Sequence, residues 1–150
     1  MSVTVGTRTI RFGSVVAIVG GVIAVVGAVL AWETIDAHIA AVAGTATSKI
    51  GIDFLGGKIV LACGVLAVVV AILDLAQTEL PFPVPMALIA LGGIATAVGV
   101  VNYVSVSLDV SDGNALIPNL VAVGSGLPVA VVGAVIVLAA GGLAWFTDRD

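Results

Sequence analysis

Four stretches of this chain run almost without charge for long enough to cross a bilayer, at about residues 12–32, 58–74, 86–106 and 124–146. A hydrocarbon core about 30 Å thick takes about 20 helical residues. Within it each backbone amide must find its partner inside the segment, so each isolated run is expected as a helix. The predicted fold class is all-α, a membrane four-helix bundle in which residues 1–150 form a single integral membrane domain. Arg8 and Arg11 precede the first run, and Glu33 and Asp36 follow it. Lys58 opens the second run with a stem that can reach the interface, and Asp74 closes it at a helix end expected to be hydrated. Pro81-Phe-Pro-Val-Pro85 forbids helix continuation and predicts a stiff link.

In the first connection Ile35, Ile39 and Val42 lie at helical spacing, which predicts a short interfacial helix over 33–42. Asp109 to Asn114 reads as a turn-rich loop. Gly124-Ser-Gly-Leu-Pro128 places the start of the last helix near Ser125, a candidate N-cap, with Pro128 in the first turn. Trp32, Lys58, Tyr103 and Trp145 stand at the ends of the runs and are the expected interface anchors.

Composition agrees with a lipid setting. The chain is 61% hydrophobic and 9% charged, so lipid rather than a soluble core takes up the apolar surface. A net charge of −4 excludes nucleic acid as a partner. Cys63 stands alone in an apolar run and is read as a packing residue. Arg8, Arg11 and Arg149 fall on one side of a four-span chain, and Lys49 and Lys58 on the other. That distribution predicts N- and C-termini on the cytoplasmic or inner side, in a plasma membrane or viral envelope.

Small residues form the sharpest pattern. Gly13, Ala17, Gly20, Ala24, Gly27 and Ala31 recur at alternating steps of four and three, one stripe of the first helix. Gly126, Ala130 and Gly133 repeat it in the fourth run, Gly57 and Gly64 in the second, and Gly92 and Gly99, more loosely, in the third. Lipid tails are as apolar as leucine, so membrane helices associate through close approach, which such stripes permit. Ser14, Gly21 and Ala28 form a second stripe about 100° round the first helix, which predicts two helical neighbours for it.

Gly20 to Gly27 aligns with Gly92 to Gly99, and Gly57 to Gly64 with Gly126 to Gly133, the pattern of a tandem hairpin repeat. This glycine-rich layout resembles the proteolipid subunits of rotary ATPases, but the centres of the second and fourth runs, near Val68 and Ile136, lack the proton-carrying carboxylate. Trp32 followed by Gly51-Ile-Asp-Phe-Leu-Gly-Gly-Lys58 resembles a pattern of small four-span prokaryotic membrane proteins without assigned activity. The small size, low lysine content and acidic ends resemble four-span proteins of haloarchaea and of their pleomorphic viruses.

Catalytic chemistry is sparse. Glu33, Asp36 and His38 are spread round the predicted helix without a second histidine, and Asp109, Asp112 and Asn114 around Gly113 depart from calcium-loop spacing. No catalytic, metal or cofactor residues are assigned, and no enzyme is expected. The expected role is structural: a tetraspan packing in the bilayer with itself, as a homo-oligomer, or with other membrane proteins. The alternatives are a pore subunit lined by Thr96, Asn102 and Ser105, and an enzyme built on the loop around His38.

Overall fold

The computed structural model describes residues 2–5, 8–44, 48–77, 79–114 and 121–147. The four apolar runs form α1 (Phe12–Val29), α3 (Leu55–Leu75), α4 (Val84–Asn114) and α5 (Gly126–Thr147), each long and apolar enough to cross a membrane. α1 packs against α3 and α5, and α4 packs against the same two helices from the other side. Successive spans are therefore antiparallel neighbours and the last returns to the first, an up-down-up-down bundle.

The fold is mostly helical but not strictly all-α, which corrects the expectation. Strands β1 (Ser2–Val5) and β2 (Arg8–Arg11) form an antiparallel hairpin that runs straight into α1. Strands β3 (Ala31–Ile35), β4 (Ser48–Ile50) and β5 (Val121–Val123) form an antiparallel sheet in the order β4-β3-β5, with Glu33 opposite both Lys49 and Val123. β3 and β4 come from the α1–α3 connection and β5 from the α4–α5 connection. The sheet therefore lies at the end of the bundle opposite the β1–β2 hairpin.

The segment expected as one helix over 33–42 divides into the end of β3 and a helix α2 (Ala37–Ala43). Trp32, Thr34 and Ile35 favour a pleated strand, and the β3 backbone finds partners on both edges, so strand pairing overrides the helical spacing. The Asp36 carboxylate accepts the His38 backbone N–H at 2.9 Å and starts α2.

Helix boundaries move for local reasons. α1 stops at Val29: Leu30 still donates its N–H to Val26 but turns extended, at φ −80° and ψ 167°. Ala31, expected on the first stripe, thus belongs to β3. α3 ends where Ala76 donates back to Ile72 and Gln77 adopts a left-handed φ of 57°. α4 begins at Val84 with Pro85 in its first turn and continues through Asp109 to Asn114, which had read as a loop. After Gly99 nothing breaks a helix until Gly113, and the Ser105 hydroxyl donates to the Val101 carbonyl at 3.0 Å, satisfied within the helix. At 31 residues α4 is about 46 Å long against about 27 Å for α1. α5 begins at Gly126, next to the expected Ser125, whose carbonyl accepts from Val129.

Candidate functional site

The first stripe of α1 lies against α5. Ala17, Ala24, Ala130 and Ala140 are buried there, and the glycines let backbone meet backbone. A Cβ added at Gly27 would sit 2.5 Å from the Cα of Ala130, and one at Gly133 would sit 2.7 Å from both the Ala24 Cα and the Gly20 carbonyl oxygen. Gly13 faces the Ala144 methyl, Gly20 faces the Ile136 side chain and the Val137 backbone nitrogen, and Gly126 faces the Gly27 carbonyl, an antiparallel register along the whole helix pair. Gly92 and Gly99 of α4 press on α5 from the other side, at Leu138 and Val131. Gly57 does not meet a second span: it lies over Gly51, in the single 3-10 turn (Gly51–Asp53) that leads from β4 into α3.

These neighbours bear on the internal repeat. A two-fold axis relating the halves would exchange α1 with α4 and α3 with α5, so Gly92 would face α3 and Gly133 would face α4. Instead Gly20 and Gly92 both face α5, while Gly64 and Gly133 both face α1. The aligned glycines do not occupy equivalent positions in the bundle.

The second stripe of α1 faces α3, where Gly21 lies 2.9 Å, by its would-be Cβ, from the Gly64 carbonyl. At the hairpin end this stripe carries Ser14, 1% exposed, beside Asp74, 6% exposed; these are the buried polar or charged residues among those described. Asp74 was expected in water. In the structure one carboxylate oxygen accepts the Ser14 hydroxyl at 2.5 Å and the other accepts the Arg11 guanidinium at 2.5 Å. Arg11 itself is about half exposed. The cluster joins the last strand of the hairpin, the first turn of α1 and the last turn of α3, so both oxygens of a buried carboxylate are satisfied at the hairpin end of the bundle. The sequence held a signal for it: Ser14 lies on the stripe that faces α3, with Arg11 one turn earlier.

Of the anchors, Trp32 is a core residue and not an interface residue. It is fully buried, its indole N–H donates to the Gly27 carbonyl at 2.9 Å, and its ring stacks on Phe54 at 5.8 Å. The reason is the strand: β3 turns Trp32 inward over the end of the bundle, beside Val60, Val106 and Leu127. Lys58 and Tyr103 are exposed near the sheet end, and Trp145 is half-buried near the end of α5.

The residues considered for a pore lining do not share an inward face. Asn102 donates to the Val98 carbonyl at 2.8 Å and covers Gly56 within the bundle, whereas Ser105 is exposed. Thr96 is half-buried, its hydroxyl without a partner among the described residues. Cys63 is buried on α3, beside Ala95 and Ala134. The gap between them at the bundle centre, bounded also by Ala24, Gly64 and Gly92, has no room for a water molecule. The polar residues of the first connection are likewise apart: Glu33 pairs with Lys49 at 3.3 Å, and Asp36 is used by the α2 backbone. Asp109 and Asp112 are exposed on α4, and Arg149 lies outside the described residues.

Fold and site together define a class: a four-span helical bundle closed by small-residue seams, clasped by a short sheet at one end and by a buried ion pair at the other. Comparisons with protein-family models, with curated proteins and with solved structures gave no match.

Proposed function

We propose that this chain is a structural and interaction component of a membrane, a small tetraspan that packs with itself or with other membrane proteins in a cell or viral envelope. The observation that carries this reading is the close packing of the described helices. Among the described residues α5 lies backbone to backbone against α1 and close against α4, and the gap beside Cys63, Ala95 and Ala134 has no room for a water molecule, which supports contact surfaces over a pathway through one chain. The exposed valines of α1, at positions 15, 19, 22, 26 and 29, face outward as a lipid-contacting stripe. In lipid nanodiscs the purified chain is expected to form discrete oligomers by native mass spectrometry, and liposomes containing it to release small neutral solutes no faster than empty ones. Monomers at every protein density, or solute release that rises with protein content, would count against the reading.

The hairpin end, with Arg8 and Arg11, faces the cytoplasm or virion interior in this proposal, and the sheet end faces outward. Asp36→Cys in intact cells is then labelled by a membrane-impermeant maleimide. Labelling only after the membrane is permeabilised would reverse the orientation.

A further inference from the structure

The exposed apolar residues of the four spans end at matching heights. α1 carries them from Phe12 to Leu30 and α3 from Leu55 to Ile72. α4 carries them from Met86 to Val104, where the exposed Ser105 interrupts, and α5 from Pro128 to Phe146, where the exposed Thr147 does. At about 1.5 Å per residue each stretch is about 26–27 Å long. Contacts between the helices put the four in register. At the hairpin end Gly13, next to Phe12, meets Ala144, two residues before Phe146, and Ser14 meets Asp74, two residues after Ile72. Ile89 meets Gly141, which sets Met86 level with Ala144. At the sheet end Gly126, two residues before Pro128, meets Leu30, and Gly56, next to Leu55, meets Asn102, two residues before Val104. Together the stretches form one level band around the bundle.

The band has hard limits at both borders. β2 ends at Arg11, directly ahead of Phe12, and β3 begins at Ala31, directly after Leu30. The two-stranded and three-stranded sheets both have open edges among the described residues. The N–H and C=O groups of an open edge find partners in water or headgroups and none in hydrocarbon. The first span therefore offers residues 12–30 to the bilayer core and no more. Lys58 is the one charge within the four stretches; it is exposed one turn from Leu55, where its stem carries the ammonium to the sheet-end border. Leu108, although exposed, lies past Ser105 on the part of α4 that packs beside the sheet through Val106 and Val110, outside the band.

We propose that this chain selects bilayers whose hydrocarbon is about 26 Å thick and is excluded from thicker, sterol-rich ones of about 32 Å. A typical hydrocarbon core is about 30 Å. Tilting a bundle lowers the height it spans, so a band this short gains nothing by tilting in thicker lipid. Nor do the helices slide to lengthen it, because α1 and α5 meet backbone to backbone and the sheet ties both to α3 at one end. In thicker lipid either the surrounding leaflets thin or strand edges enter hydrocarbon, and each is unfavourable. Acyl chains of matching length are thus the occupant of the exposed faces. The lipid preference holds whether or not copies of the chain associate.

Reconstitution of the whole chain tests this in a series of fluid, monounsaturated phosphatidylcholines whose hydrocarbon thickness runs from about 20 to about 34 Å. The thermal unfolding temperature is expected to peak at about 26 Å and to fall on both sides. In nanodiscs of the thickest lipid, electron cryomicroscopy is expected to show the two headgroup layers drawn together around the protein. Phe12→Gln combined with Phe146→Gln trims the band at the hairpin border, since the next exposed apolar residues, Val15 and Leu143, lie three positions inward. That variant is expected to move the peak to lipid thinner by about 3 Å. A peak at about 30 Å or above, stability indifferent to thickness, headgroup layers that stay flat in the thickest lipid, or a peak that the double variant leaves in place would each overturn the proposal.

Discussion

Gly27→Leu is expected to disrupt the bundle, while Val26→Leu, one residue away, leaves it unchanged. The wild-type glycine lies where a side chain would meet the Ala130 backbone, which cannot move without displacing the whole of α5. Val26 is 45% exposed on the lipid side and has room to grow. Overpacking of this kind costs about 3 kcal/mol, and a surface exchange costs less than about 0.5 kcal/mol. Thermal unfolding in mild detergent reads both. A control sharpens the comparison: Gly93→Leu adds the same side chain to a glycine of α4 with nothing within 4 Å of its would-be Cβ, and should behave like Val26→Leu. Equal losses at Gly27 and Gly93 would show that close approach to α5 does not set the cost.

Arg11→Met is expected to destabilise the bundle more than Asp74→Asn does, although both break the same pair. Removing the guanidinium leaves a carboxylate in a site 6% exposed with the Ser14 hydroxyl as its remaining partner, whereas removing the carboxylate charge frees an arginine that already reaches water. The exposure of Arg11 screens the pair, which lowers the usual cost of orphaning a buried charge to about 2 kcal/mol. The side-chain amide oxygen introduced by Asp74→Asn would still accept from Ser14, which keeps the cost of that variant to about 1 kcal/mol. In the double variant the cost should fall back near that of Asp74→Asn alone, because no buried charge remains. Strict additivity of the two substitutions in unfolding measurements would mean that the residues do not act as a pair.

Much of the architecture was legible because its causes are local. The length of each apolar run and the recurrence of small residues are one-dimensional properties, and the two stripes of α1 indicated two helical neighbours, which the structure places at α5 and α3. What remained hidden depends on distant partners. β5 is three residues long and gains meaning only from β3, where the Thr34 hydroxyl reaches the Ala122 carbonyl across 88 positions. Asp74 looked like a solvated helix end because Arg11 and Ser14 lie 63 and 60 positions away. Trp32 at the end of an apolar run has the same sequence setting whether it faces headgroups or the core, and β3 decides between them. The continuation of α4 through Asp109 and Asp112 was masked by polar residues that helices tolerate when nothing else breaks them.

The closest helix pair in the bundle joins the first span to the last, and the sheet that clasps the far end is completed by β5, just ahead of α5. During synthesis α1 therefore emerges with its most intimate surface unmatched and keeps it so until α5 has been made. Until then α1 can lean only on α3, through Gly21, Gly64 and the Ser14–Asp74 contact. The arrival of β5 and α5 closes the ring and the clasp together. A chain interrupted before that point would present a glycine-lined face to the bilayer, where membrane quality control can recognise it.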